Sequence, residues 1–484
     1  MRLVTSLLIL LSTVSCRPAE KNSSLDFYSA DSMEAVISYR TWFLFPKSKL
    51  TLPSARSYKQ MERGDKSKIG KALKLHTLHL YGVFSYHEKP IDFSVYNGSI
   101  MERSKQKILK IENSSAKYVK VHYEYQDRSV FYKELFTGKE TRLRFYMPNS
   151  PLEVYEQSIP SQPKKNKDGT PFNPCTSKGD NSEAAFWYYW SPDRRGCPSG
   201  FRKKLHFVDA KLSLLPQTKS TYPEYKKLFS QKKEADGRGK VRLDLVVGPD
   251  EKFESSKDLG RVTFEHTFGY LSRMRQNGKA TFTLARNDAN YKVLVYDNNL
   301  FKAEVHIHYR DPDAATFSAF ASKVLRYSDI FIYSGHSYEG EYFKLQTLFN
   351  KKAYSLPKSK YQIMFFNACT TYAYYNFNYF KAKRSKADRR GTKNLDIMTN
   401  AIGSPFLLDS RKSRRTIVTT DIIAISSLLG LRLDGEPLKR WRSWQEILKR
   451  ISANSGYDFT GLTNVMGDED NPRRRPQFSV PGAR

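Results

Sequence analysis

Two short apolar runs constrain the fold of this 484-residue chain more than any other feature. Residues 329–333 (DIFIY) and 361–366 (YQIMFF) are almost wholly apolar and lack the alternation of a strand with one solvated face. Strands buried on both faces occur where helices cover a parallel sheet, and helical patterns alternate with apolar runs from residue 241 onward. We therefore predict an α/β domain with a mostly parallel sheet over 241–475, followed by a tail, 476–484.

The N-terminal half has a different pattern. From about residue 35 to 215, short runs such as 73–83 and 118–125 (YVKVHYEY) contain alternating apolar residues and are separated by turn residues. This pattern is typical of antiparallel strands and predicts a mainly-β, sandwich-like domain over 27–216. The polar segment that ends at residue 240 predicts a linker over 217–240.

The first sixteen residues have the layout of a secretory signal peptide, with Arg2, an apolar run over 3–11 and small polar residues before Cys16. Cys16 resembles the lipidated cysteine of bacterial lipoproteins; Ser15 fits that motif and Thr13 departs from it. Cleavage nearby without a lipid is the alternative. We expect an exported protein of the bacterial cell envelope, anchored at the outer membrane or in the periplasm through a lipid on Cys16, or otherwise secreted.

Export changes the interpretation of the other cysteines. Cys175 and Cys197 flank the aromatic segment 186–190 (FWYYW). In an oxidising compartment a disulfide between them would close this loop and contribute about 3 kcal/mol. Two free buried thiols are the alternative. With Cys16 and this pair set aside, Cys369 is the one unpaired cysteine.

The two apolar runs end in reactive residues, because His336 follows the first and Cys369 follows the second. In a right-handed β-α-β crossover, both strand ends lie at the same edge of the sheet, where ligand crevices form. A thiolate is a nucleophile, and a nearby imidazolium both stabilises it and protonates a leaving amine. All nine histidines lie at or before His336, which excludes enzymes whose catalytic histidine follows the nucleophile. A structural cysteine and an ordinary loop histidine are the alternative.

At these residues the chain resembles the clan CD cysteine peptidases, the group of caspases, gingipains and separases. Members of that group have an apolar strand ending in His-Gly and, one crossover later, an apolar strand ending in Ala-Cys. The matching residues are 334–336 (SGH) and 367–369 (NAC), and 465–472 (VMGDEDNP) is similar to a Gly-Asp-Pro element found late in gingipain-like domains. The resemblance covers about residues 240–475 and leaves the N-terminal domain unexplained.

This resemblance implies a caspase-like fold and cleavage of protein or peptide substrates. Cys369 would be the nucleophile and His336 the general acid/base, and the backbone N–H groups of Ser337 and Cys369 would form the oxyanion hole. The family normally has glycine where this chain has Ser337. If the family geometry requires a glycine-only conformation, the donor is misplaced, so a catalytically inactive domain is the alternative.

The charge of the chain suggests a second class of function. Lys and Arg number 81 against 49 Asp and Glu, a formal net charge of +32. The basic residues are spread along the chain without a nucleic-acid recognition motif, so we expect no specific nucleic-acid partner. Outside the cytoplasm, such a surface would attract anionic lipids or anionic envelope polymers. The competing function is therefore an envelope-associated binding module with an inactive peptidase-like domain.

The sequence predicts no cofactor. His306 and His308 lie on one face of a predicted strand, but no third ligand is specified by spacing, so we predict no metal there. Asp468 and Asp470 have carboxylates suited to Ca²⁺, with a solvated acidic turn as the alternative.

Overall fold

The computed structural model describes residues 26–51, 58–85, 94–95, 105–158, 173–176, 186–187, 190–192, 194–349, 356–401, 404, 418–454 and 462–483. The predicted signal peptide and Cys16 lie outside the described residues. Within these ranges, every helix falls short of the length and apolar character needed to cross a bilayer.

The described residues form seventeen strands and ten α-helices. The strands are β1 (Phe27–Ser29), β2 (Ser32–Pro46), β3 (Ser94–Val95), β4 (Lys105–Asn113), β5 (Tyr118–Tyr132), β6 (Glu140–Pro148), β7 (Leu205–Leu214), β8 (Gly239–Val247), β9 (Arg275–Gln276), β10 (Lys279–Ala280), β11 (Thr283–Asp288), β12 (Tyr291–Asp297), β13 (Phe301–Tyr309), β14 (Ile330–Ser334), β15 (Gln362–Asn367), β16 (Leu395–Asn400) and β17 (Thr463–Met466). The helices are α1 (Arg63–Ser85), α2 (Pro151–Ser158), α3 (Tyr225–Ser230), α4 (Leu259–Arg273), α5 (Phe317–Tyr327), α6 (Leu345–Leu348), α7 (Thr371–Tyr374), α8 (Phe377–Lys383), α9 (Thr420–Leu428) and α10 (Trp444–Asn454).

The C-terminal half contains a nine-stranded mixed sheet with the order β1-β17-β16-β15-β14-β8-β13-β12-β11. Its five central strands, β13, β8, β14, β15 and β16, are parallel, whereas antiparallel strands complete both edges. The predicted parallel sheet is therefore confirmed for the central strands only.

The two apolar runs found in the sequence are the neighbouring central strands β14 and β15. In β14, Ile330 and Ile332 face a core shared with α4, α9 and α10. Phe331 and Tyr333 face the opposite core, which includes side chains of α5, α7 and α8. Both faces are thus buried, as the lack of alternation in the sequence predicts.

The N-terminal half contains a separate six-stranded antiparallel sheet, in which β3, β5, β2, β7 and β6 are neighbours in that order and β4 also pairs with β5. Helix α1 covers one face of it, and its side chains Ile69, Leu73 and Leu80 are buried in the same core. Among the described residues of this half, the second layer is therefore helix α1, and not the second sheet of the predicted sandwich.

The predicted strand over 73–83 is wrong, because these residues belong to helix α1. The helix is buried on more than one side: Leu73 and Leu75 lie in the sheet core, and His79 contacts the rings of Trp187 and Trp190. A helix covered in this way lacks a polar stripe of period 3.6, so its sequence resembles strand alternation.

The structure differs from the predicted domain boundaries in two places. Strand β1 pairs with β17 and so extends the C-terminal sheet, although it precedes the N-terminal one in the chain. Within the predicted linker, helix α3 buries Tyr225 and Phe229 against Trp441. These segments pack on the C-terminal half because their apolar side chains have a core to fill there.

The predicted disulfide is confirmed: Cys175 and Cys197 are bonded to each other. Phe186, Trp187 and Trp190, which lie between them in sequence, are buried in the N-terminal core. The loop therefore contributes aromatic side chains to the fold.

Candidate active site

His336 and Cys369 follow two neighbouring parallel strands at equivalent positions. Ser334 of β14 is in register with Asn367 of β15, and the N–H of Gly335 donates to the carbonyl oxygen of Asn367 at 3.4 Å. The histidine and the cysteine each lie two residues beyond this pair. Because the two strands are parallel, both residues leave the sheet at the same edge. Adjacent strands are about 4.8 Å apart, so the two residues also lie close together.

The imidazole of His336 is held by Asp250, a residue that sequence reasoning missed. Nε2 of His336 lies 3.0 Å from the carbonyl oxygen of Asp250 and 3.2 Å from its Oδ1, and the histidine side chain is 47% exposed. Asp250 follows β8, which is the other neighbour of β14. The signal that could have identified it is its place shortly after a third apolar strand.

The loop that contains Asp250 is fixed by Asp258, the N-cap residue of α4. The Asp258 carboxylate accepts hydrogen bonds from the backbone N–H groups of Asp250, Glu251 and Lys252 at 2.9 to 3.2 Å, and from that of Arg261 at 3.1 Å. This cap satisfies backbone donors at the start of the helix and holds the preceding loop in place. Asp258 therefore holds the backbone of Asp250 in the position from which it contacts His336.

Two buried tyrosines hold the peptide groups after His336. The hydroxyl of Tyr333 donates to the carbonyl oxygen of His336 at 2.7 Å, and the hydroxyl of Tyr375 donates to that of Ser337 at 3.2 Å. Burial raises the pKa of both tyrosines well above its ordinary value, so both hydroxyls remain donors at neutral pH. A Cβ atom at Gly335 would lie 2.6 Å from the Tyr333 hydroxyl oxygen, which explains glycine at that position.

Ser337 stands where the resembled peptidases normally have glycine, and its backbone does not have a glycine-only conformation. Ser337 has φ −81° and ψ −25°, a conformation that any residue adopts without strain. The serine side chain therefore does not force its backbone N–H away from the position that a glycine would give it.

Cys369 is half-buried, and its Sγ accepts a hydrogen bond from the N–H of Ser404 at 3.5 Å. The next residue, Thr370, has φ 51°, in the left-handed region that non-glycine residues rarely adopt. Such a conformation costs about 1–3 kcal/mol, and residues of this kind cluster at functional sites. The cysteine thus lies at a sharp change of chain direction between β15 and α7.

A buried hydrogen-bond network lies beneath the two strand ends. The Asp421 carboxylate accepts from Ser334 Oγ at 2.6 Å and from Asn367 Nδ2 at 3.0 Å. Asn400 Nδ2 donates to Asn367 Oδ1 at 3.0 Å, and Thr463 Oγ1 donates to Asn400 Oδ1 at 2.8 Å. The network joins the ends of β14, β15 and β16 to β17 and α9, and it fixes the strand ends that precede His336 and Cys369.

His306 and His308 lie beside Asp244 of β8, and one ligand-type atom from each lies within 4.8 Å of the others. The Asp244 carboxylate accepts from Arg242 Nε and Nη2 at 2.8 and 2.9 Å and from Ser328 Oγ at 2.7 Å, and it contacts His308 Nε2 at 3.0 Å. With a guanidinium bound to both carboxylate oxygens, the geometry favours a buried ion-pair network over a cation site.

The carboxylates predicted to suit Ca²⁺ have hydroxyl partners in the structure. Asp468 accepts from Thr221 and from Thr218, and Asp470 accepts from Thr392 Oγ1 at 2.7 Å. Desolvation raises the pKa of Asp468 to about 7. Calcium binding at this turn stays a prediction.

No family model and no curated protein matches the chain. Among solved structures, part of the chain is similar to a secreted C11 cysteine protease from Bacteroides thetaiotaomicron, with 11% identity and a TM-score of 0.18. The match covers 34% of this chain and 53% of that protease, so it spans about half the length of the protease.

Proposed function

We propose that the C-terminal half is a cysteine endopeptidase domain in which Cys369 is the nucleophile and His336 the general acid/base. The observation that supports this function is the placement of the two residues at equivalent positions after adjacent parallel strands, with the imidazole oriented by Asp250. A cysteine, a histidine and a group that orients the histidine are the parts that an activated thiol requires.

In this proposal His336 accepts the thiol proton of Cys369, and the thiolate attacks the carbonyl carbon of the scissile peptide bond. The backbone N–H groups of Ser337 and Cys369 donate to the oxyanion that forms. The imidazolium then protonates the leaving amine as the C–N bond breaks. Water hydrolyses the resulting thioester, releases the acid product and returns the proton to the thiol.

The same proposal includes the location of the protein. We propose an exported envelope protein anchored through a lipid on Cys16, whose substrates are other proteins or peptides. The disulfide between Cys175 and Cys197 is consistent with an oxidising compartment. The intact mass of the protein, purified from the membranes of its source cells, shows directly whether Cys16 carries a lipid.

Activity is tested with the full chain, its Cys369→Ala and His336→Ala variants, and His122→Ala as a control on the surface of the other sheet. Turnover of unfolded protein and of a mixed peptide library is expected in the parent and the control only. In a second measurement, mass spectrometry follows alkylation of Cys369 at pH 7, which should slow in the His336→Ala variant.

An inactive domain predicts different results. Absence of turnover, together with equal alkylation rates in the parent and the His336→Ala variant, would overturn the peptidase proposal. The function would then have to be sought in the N-terminal half.

A further inference from the structure

The N-terminal sheet has one face that the described residues leave uncovered along most of its length. Only its end at Glu34 and Val130 packs against the C-terminal half. Along β5, Val121, Tyr123 and Tyr125 point into the core with α1, whereas Lys120, His122 and Glu124 alternate with them and point the other way. The strand register places Arg40 and Lys107 beside Glu124 on that side. We call this side of the sheet the open face.

Cations predominate on the open face. Lys105, Lys107 and Lys110 lie on β4 at one side of the sheet, and Arg142, Arg144 and Lys211 lie on β6 and β7 at the other, all exposed. Arg40 and Lys120 lie between these two groups. Apart from the Arg128–Glu34 pair at the covered end, eight basic side chains thus share the face with four acidic ones: Glu112, Glu124, Glu140 and Asp209.

Each acidic residue already has a basic partner. Glu124 and Asp209 pair with Arg40 and Arg144, each at 3.4 Å. Glu140 pairs with Lys211, and Glu112 pairs with Lys110. After these pairs, the part of the face that the structure describes retains four basic side chains without an acidic partner: Lys105, Lys107, Lys120 and Arg142.

Two exposed apolar side chains accompany these charges. Phe207 of β7 is 68% exposed, with the Arg144 guanidinium 5.2 Å from its ring centre. Leu109, at the bulge of β4 beside Lys110, is 43% exposed. Apolar side chains among Lys and Arg are the pattern by which proteins bind a membrane surface, where the cations meet anionic headgroups and the apolar groups enter the interface.

The arrangement also indicates the shape of the ligand. The order β4-β5-β2-β7-β6 places four strand spacings, about 19 Å, between the cations of β4 and those of β6. A linear polyanion would follow one row of this array, and it would gain little from Phe207 and Leu109. A bilayer surface contacts both sides of the sheet at once and accommodates the apolar groups. We propose that the open face binds a membrane surface containing anionic lipid headgroups.

This inference does not depend on the peptidase proposal, because no residue of the open face lies in the candidate active site. It also does not depend on a lipid anchor. The test therefore uses the full chain carrying Cys16→Ser, so that membrane binding through a lipid is removed.

Sedimentation is measured with vesicles of phosphatidylcholine alone and of phosphatidylcholine with phosphatidylglycerol. We expect binding to the anionic vesicles only. The variant Lys105→Glu/Lys107→Glu/Arg142→Glu should weaken it on the order of a hundredfold, since each basic residue near an anionic surface contributes about fivefold and reversal removes at least that. Phe207→Ser should weaken it severalfold with no change in charge. The matched control Lys226→Glu/Lys279→Glu/Lys439→Glu reverses the same number of exposed charges elsewhere and should change binding much less.

Three outcomes would overturn the proposal. They are equal binding to neutral and anionic vesicles, an equal loss in the control variant, and binding to dextran sulfate but not to vesicles, which would assign the face to a soluble polyanion. If the triple variant fails to fold by circular dichroism, Lys→Gln and Arg→Gln changes at the same positions replace it. Each neutralised charge should still weaken binding about fivefold.

Discussion

The hydroxyl of Tyr333 donates a hydrogen bond to the carbonyl oxygen of His336 at 2.7 Å. That carbonyl belongs to the same peptide group as the N–H of Ser337, which is the proposed oxyanion donor. Because a peptide group is planar, a bond that fixes its carbonyl also fixes the direction of its N–H. Tyr333 is therefore a positioning residue for the proposed reaction, although it need not touch the substrate.

Tyr333→Phe should lower kcat about tenfold and leave KM nearly unchanged. The reason is that the N–H of Ser337 would no longer be held where the oxyanion forms, and loss of such a donor outright costs about 100-fold or more. Tyr379→Phe is the matched control, because the Tyr379 hydroxyl is equally buried and donates to the carbonyl oxygen of Phe343, away from the loop. Both variants should lose about 1 kcal/mol of stability. Equal kcat values in the two variants would show that Tyr333 is only structural.

Asp250→Ala should reduce kcat/KM about tenfold, less than His336→Ala. The carboxylate that orients the imidazole is removed, but the carbonyl oxygen of residue 250 still lies 3.0 Å from His336 Nε2. Asp250→Asn, which keeps a side-chain acceptor, should recover part of the loss. The neighbouring change Glu251→Gln serves as the control and should have no effect. If Glu251→Gln lowers kcat/KM as much as Asp250→Ala does, the negative charge of the loop matters and not the contact between Asp250 and His336.

Replacing both Cys175 and Cys197 by Ala should lower the free energy of unfolding by about 3 kcal/mol. Their separation of 22 residues sets the entropy that the cross-link removes from the unfolded chain. Denaturant unfolding followed by tryptophan fluorescence measures this change. Cys369→Ala should leave the transition where it is, and a double variant as stable as the parent would contradict the prediction.

The N-terminal half should become less stable as the pH falls from about 6.5 to 4. Burial of the imidazole, together with the nearby charge of Lys120, lowers the pKa of His206 to about 4. The unfolded chain binds a proton near pH 6.5 and the folded chain does not, so acid favours unfolding by roughly 2 kcal/mol at pH 4 after allowance for solvent screening. His206 lies 2.7 Å from Thr41 Oγ1 and 2.8 Å from Asn149 Oδ1.

His206→Gln keeps a polar side chain at this position and should flatten the dependence of unfolding free energy on pH between 4 and 6.5. Burial also lowers the pKa of His76 in the same core, so part of the slope should remain. Urea unfolding at pH 4, 5, 6 and 7 measures the slope. An unchanged slope in His206→Gln would contradict the assignment to His206.

The buried strand pair, its reactive ends and the disulfide could all be predicted from the residues. The uninterrupted apolar runs at 330–333 and 363–366 predict burial on both sides of each strand, because only a sheet covered on both faces buries every side chain. A β-α-β crossover then places the residues after both strands at one edge, whatever the length of the connection. The same reasoning predicts that His336 and Cys369 belong to one candidate site.

Other features depend on contacts between residues that are distant in sequence. Asp250 meets His336 only because β8 lies next to β14, and strand order cannot be obtained from the pattern of one strand. Helix α1 resembled a strand because tryptophans more than 100 residues later cover its second side. Strand β1 pairs with β17 at the far end of the chain. Local sequence thus determined which segments are buried and which residues could react, whereas the tertiary structure decided which of them meet, because burial depends on each segment and contact depends on the path of the whole chain.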